Sequence, residues 1–269
     1  LRTLNLGILA HVDAGKTSLT ERLLQAAGVI EEVGSVDAGS TRTDTLDLER
    51  RRGITIKSAV VSFTLGDTAV NLIDTPGHPD FIAEVERVLN LLDGAVLVVS
   101  AVEGVQAQTR VLYRALRRLG VPTIVFVNKI DRTGARYRSL LDDLAATLDP
   151  AVVAMDTLDD VGTRDAASTP RPRDAALAED LLEALLDEPL LEAYLAAQAA
   201  DSRAAAAPGG MSHVARDAAL QAVTSPVFTA FTERVRRARA HPVHFGSAIT
   251  GAGIDGLVAG ILSFLPRSA

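Results

Sequence analysis

The chain has 269 residues, 48% of them hydrophobic, and a net charge of −7. That is enough apolar residue for a sizeable core, and the acidic balance excludes a wholly basic nucleic-acid binder. Cysteine is absent, which excludes disulfides, thiolate metal sites and thiol nucleophiles, and no apolar run approaches the length of a membrane span.

The opening residues carry no signal-peptide pattern, so a soluble cytoplasmic protein is expected. Residues 4–9 read as a buried strand and 16–27 as a helix ending near Gly28. Residues 30–55 are polar, with Gly34, Gly39 and Gly53 and no clear period. A loop this long in a compact domain tends to be functional. VVSFTL (60–65) and VNLID (70–74) read as two strands joined by a turn at Gly66-Asp67. Residues 81–92 have helical spacing, with Phe81, Val85, Val88, Leu89 and Leu92 on one side. GAVLVVSA (94–101) is apolar throughout, as in a parallel strand covered on both faces. A helix at 105–119, a buried strand at 123–128 and a helix at 135–148 follow.

The alternation breaks from about 150 to 240. DAASTPRPRDA (165–175) and AAAAPGGMS (204–212) read as loops or disordered links. The stretch between them reads as one or two helices with a break at Pro189, and 229–240 as a basic amphipathic helix. Strand character returns at 243–248, and a helix closes the pattern at 254–265. The expectation is an α/β P-loop fold with a mostly parallel central sheet flanked by helices. Its first part is 1–149, a mainly helical insertion is 150–240, and 241–269 completes it.

AHVDAGKT (10–17) matches the phosphate-binding pattern G-x-x-x-x-G-K-[ST] except that Ala10 replaces the first glycine. Backbone N–H groups of Ala14, Gly15, Lys16, Thr17 and Ser18 are expected to face phosphates at a helix N-terminus. The Lys16 ammonium would reach the β- and γ-phosphates, and the Thr17 hydroxyl would ligate Mg²⁺. Asp74 ends the next buried strand, in DTPGH (74–78), where an acid can hold Mg²⁺ through water. Gly77, lacking Cβ, can bring its N–H close to a γ-phosphate. Taken alone, DTPGH is equally compatible with a plain turn.

Asn128-Lys129-Ile130-Asp131 follows a buried strand. A carboxylate at Asp131 can accept from guanine N1–H and the 2-amino group, whereas adenine would leave it unpaired. The Lys129 stem can lie along the base. The only lysines are Lys16, Lys57 and Lys129, so two of the three fall inside these motifs.

Together AHVDAGKTS, RGIT (52–55), DTPGH, NKID and GSA (246–248) resemble the translational GTPases, in that family's order. NLGILAHVDAGKTSLTERLL, GSVDAGSTRTD, VNLIDTPGHPDFIAEVERVL and DGAVLVVSAVEGVQAQTR are very similar to the elongation factor G-like tetracycline-resistance ribosomal protection proteins, the oxytetracycline type above all. The resemblance is dense over 1–135 and 241–265 and weak over 150–240. It implies GTP and GDP as ligands, with Thr55 closing on Mg²⁺ and the γ-phosphate. Residues 30–55 and 74–92 become the two switches, and His78 positions the attacking water. Val12 and Ile54 match apolar residues that fence that histidine. Asp13 matches an acid that helps bind a monovalent cation. Gly246, Ser247 and Ala248 contact guanine through the main chain.

The family is far longer, and residue 269 falls just past the last helix of the G domain. Ribosome protection, and contact with ribosomal RNA, are therefore expected of the longer parent, as a monomer without DNA or membrane partners. The residues alone also admit an elongation factor G-type translocase, or a GTP/GDP switch module with negligible turnover. Arg50, Arg51 and Arg52 are candidate ribosomal contacts, while Arg234, Arg236, Arg237 and Arg239 read better as solvated surface. His11, His213, His241 and His244 lack metal-ligand spacing and read as structural or surface residues.

Overall fold

The computed structural model describes residues 2–30, 59–74, 88–205 and 213–268. Strand β1 (Arg2–Ala10) leads through a short loop into helix α1 (Lys16–Ala26). A hairpin of β2 (Ala59–Leu65) and β3 (Thr68–Asp74) follows, turning at Gly66-Asp67. Then come β4 (Gly94–Ser100), α2 (Ala107–Leu119), β5 (Thr123–Asn128) and α3 (Arg138–Thr147). Next are β6 (Val152–Ala154), β7 (Asp156–Asp159), β8 (Ala167–Pro170), α4 (Ala175–Leu185), α5 (Glu188–Ala205) and α6 (His213–Arg236). Strand β9 (His241–Phe245) and helix α7 (Ile254–Phe264) finish the chain.

Seven strands form one sheet in the order β2-β3-β1-β4-β5-β9-β6, parallel except for β2. Alternation along each strand sorts the core onto two faces. Leu4, Leu6, Ile8, Val96, Val98, Ile124 and Phe126 pack under α1 and α7, against Leu19, Leu23, Leu257 and Ile261. Leu9, Leu97, Val99, Val125, Val127 and Phe245 pack under α2 and α3, against Leu112, Leu116, Leu140 and Leu144. All seven residues of β4 are buried, because both of its faces are covered.

The segment after residue 150 is not purely helical. Val152–Ala154 joins the main sheet beside β9, and β7 pairs antiparallel with β8. The stretch 165–175, expected as a loop, thus holds a strand, and Asp174 caps α4 by accepting from Leu177 N–H at 3.0 Å. Its ladder partner lies in β7, so nothing local marks it as a strand. The break near Pro189 falls between α4 and α5. The basic stretch from 229 is the end of a 24-residue helix, not a helix of its own. A third core gathers Val153 and Met155 with Leu181, Tyr194, Phe231, Val235 and Phe264. Residues 206–212 of the proposed link lie outside the described residues. Among the described residues no helix is long and apolar enough to cross a membrane.

Candidate nucleotide site

Three loops meet at the carboxyl ends of β1, β5 and β9, where open α/β sheets bind ligands. After β1, Ala14 N–H donates to His11 C=O at 3.2 Å and closes a turn. Asp13 sits at φ 63 and Gly15 at φ 94, both left-handed, which tips the chain into α1. Gly15 is needed twice over: a Cβ there would be strained and would strike the Asn128 amide. No acidic residue occupies the first turn of α1, so its N-terminal dipole is left for an anion. Lys16 is buried, 7% exposed, while Thr17 and Ser18 are half-buried.

Asn128 is the pin of the site. Its Nδ2 donates to Ala14 C=O and its Oδ1 accepts from Ala248 N–H, both at 2.9 Å. The loop after β9 is fixed further by Ile130 N–H to Gly246 C=O at 3.3 Å and Ser247 N–H to Ala252 C=O at 2.9 Å. From α1, Arg22 Nε donates to Ala248 C=O at 2.9 Å, and its Nη2 to Ile249 C=O. Lys129 is held at φ 69, a costly conformation for a non-glycine residue of the kind that collects at functional sites. Asp131 is nearly buried, 3.9 Å from Arg132 Nε.

The structure brings Asp13, Ala14, Gly15, Lys16, Thr17, Ser18, Asn128, Lys129, Asp131, Gly246, Ser247 and Ala248 onto one end of the sheet. The backbone of Asp74 ends β3 opposite Ile8, one strand from the phosphate loop. Its side chain, and Ile54, Thr55, Gly77 and His78 with most of both expected switches, lie outside the described residues.

The same end holds residues that sequence reasoning passed over. Glu103 accepts from the Lys129 ammonium through Oε1 at 3.3 Å, and its Oε2 lies 3.4 Å from His11 Nε2. The other nitrogen of His11 meets Thr109 Oγ1 at 3.0 Å, and Gln108 Oε1 accepts from Val12 N–H at 3.3 Å. Burial pushes the His11 imidazole below its ordinary value, against the pull of Glu103. For Glu103 burial works upward, but a hydrogen bond from Ser100 and the Lys129 charge outweigh it and hold the carboxyl low. His11 is therefore a buried member of the site's framework, and no short motif announced Glu103 as its partner.

The family model of the elongation factor Tu GTP binding domain matches residues 1–267. The chain belongs to that family. It is a GTP-binding G domain of the elongation factor Tu type. It is 53% identical over 266 residues to the oxytetracycline resistance protein of Streptomyces rimosus, covering 99% of this chain and 38% of that protein. It is also 53% identical over 274 residues to the tetracycline resistance protein TetM of Streptomyces lividans, again covering 38% of that protein. A solved structure from Thermus thermophilus superposes with a TM-score of 0.77 at 29% identity, over 99% of this G domain and 40% of that chain. The G domain thus spans well under half the length of the curated relatives it matches.

Proposed function

We propose that this G domain serves a ribosome-associated tetracycline-resistance protection protein of the cytoplasm, acting as a monomer. The observation that carries the nucleotide part is the double hydrogen bond of Asn128, which fixes the phosphate loop and both base loops as one unit. Lys16 and the N–H groups from Ala14 to Ser18 bind the phosphates. Asp131 accepts from the guanine N1–H and amino group, with Lys129 along the ring and Gly246, Ser247 and Ala248 offering main-chain groups. Asp13 assists a monovalent cation.

Thr17, Thr55 and Asp74 would hold Mg²⁺. The fit is chemical: the set is hard oxygen. That suits an ion whose remaining ligands are phosphate and water. When bound, Mg²⁺ offsets charge on the β- and γ-phosphate oxygens. His78 orients water for in-line attack on the γ-phosphorus while the bond to the β–γ bridging oxygen breaks. Gly77 N–H binds a γ-phosphate oxygen. Positioning and charge stabilisation supply most of the rate.

The support for tetracycline resistance is the naming of the relatives, over the part this chain covers, and the support for the ribosome is the elongation-factor family of the domain. Single-turnover GTP hydrolysis by the longer parent, with and without ribosomes, tests it. Ribosomes should accelerate hydrolysis, and GTP with the parent should release tetracycline from ribosomes. Hydrolysis indifferent to ribosomes, or tetracycline retained, refutes the reading.

A further inference from the structure

We propose that Glu103 is a positioning residue for the guanine nucleotide: one carboxylate holds Lys129 of the base loop and His11 of the phosphate loop in fixed relation. The proposal rests on the assignment of Lys129 and Asp131 to the base.

The backbone around Glu103 is held rigidly. Ser100 Oγ accepts from Val102 N–H at 3.3 Å and Glu103 N–H at 3.2 Å. Gly104 N–H returns to Ser100 C=O at 2.8 Å, and the Gln106 side chain donates to Glu103 C=O at 2.7 Å. The carboxylate therefore leaves a fixed turn at the end of β4, between β1 and β5 in the sheet.

Its partners are matched to it. Thr109 Oγ1 accepts from Gln106 N–H at 3.3 Å and lies 3.0 Å from His11 Nδ1, to which its hydroxyl can donate. An ionised Glu103 can only accept, so its contact with His11 is a hydrogen bond when the imidazole proton sits on Nε2. The Glu103 carboxylate then meets both loops, through His11 Nε2 and the Lys129 ammonium, with Ser100 as a further donor. A pair between Lys129 and a carboxylate 41% exposed would be worth little by itself. The shared carboxylate differs, because its second partner, His11, is 5% exposed and meets it through Nε2. Asn128 reaches the backbone of the phosphate loop with its own side chain, whereas Glu103 joins two side chains, one from each loop. A lysine anchored at its tip presents its stem to the base without first losing rotamer freedom.

The test is the release rate of GDP from the G domain, followed with a fluorescent GDP derivative. Glu103→Gln keeps the shape but removes the charge and leaves an acceptor at only one of the two oxygen positions. It should speed release by roughly three- to tenfold. Lys129→Ala should cost less in the Glu103→Gln background than in wild type, because the two act together. Glu103→Asp, with its charge on a shorter arm, should fall between wild type and Gln. Unchanged release, or equal cost of Lys129→Ala in both backgrounds, overturns the proposal. Asp131→Asn assayed beside them with xanthosine diphosphate separates the two failures. If that variant gains xanthine binding while Glu103→Gln releases GDP normally, the base site stands and the role of Glu103 falls.

Discussion

The side-chain amide of Asn128 reaches the carbonyl of Ala14 at 2.9 Å, across a separation of 114 residues. The same amide accepts from Ala248, 120 residues further on. One side chain of 3% exposure thus fastens three distant segments at the mouth of the sheet.

Asn128→Ala should therefore cost more than a surface change. It leaves a buried carbonyl and a buried N–H unpaired, at about 1–3 kcal/mol each where water cannot enter. Urea unfolding without nucleotide should show the loss, and GDP affinity should fall at least about tenfold as the loops separate. Wild-type affinity in a folded variant would mean the pin does not shape the site.

Asp131→Asn should weaken GTP and favour xanthosine triphosphate. Xanthine offers a carbonyl where guanine has its amino group, and the new amide can donate to it. Titration with both nucleotides decides. Unchanged GTP binding would remove Asp131 from base recognition.

Stability should fall on mild acidification, and His241 should account for part of it. The ring is buried at the start of β9, with Nδ1 3.2 Å from Thr123 C=O and Nε2 2.8 Å from the Tyr113 hydroxyl, whose oxygen also lies 3.0 Å from Asp149 Oδ2. Burial lowers its pKa below the ordinary 6.5, so the folded state binds fewer protons than the unfolded one. Its contribution is complete above 6.5 and is lost as pH falls from there through the folded pKa. His11 acts in the same direction. Each such histidine gives a slope of up to about 1.4 kcal/mol per pH unit in that window. Denaturation of wild type and His241→Gln between neutral and mildly acidic pH should show a shallower dependence in the variant. Identical slopes would exclude His241 as a contributor.

His78→Ala tests the chemistry itself. Nucleotide binding should stay near wild type, because no ground-state contact is assigned to the ring. Ribosome-stimulated hydrolysis by the longer parent should drop by roughly two or more powers of ten. Single-turnover rates within about threefold of wild type, with binding intact, would take His78 out of the reaction.

Much of this site was legible because its chemistry is local in sequence. Gly15, Lys16 and Thr17 stand together, and Asn128, Lys129 and Asp131 follow a strand whose burial is plain from composition. The central strands were equally plain, since GAVLVVS has no polar face to hide. What escaped depends on distant partners. Strand β8, with its terminal proline, exists because β7 pairs with it. The three residues of β6 count as a strand only beside β9. Glu103 looks like any surface acid until the fold sets His11 and Lys129 on either side of it.

The place of β9 sets an order of assembly. It lies between β5 and β6, which do not pair with each other. As the chain emerges during synthesis, the outer edge of β5 stays unpaired until residues 241–245 have been made. So does β6, and Ala248 cannot yet meet Asn128. An open strand edge is a template for unwanted pairing, and partly made chains run that risk. The helices α4, α5 and α6 are all made in that interval. A chain arrested before residue 241 would carry its phosphate loop and NKID residues without the last strand that joins them into a working pocket.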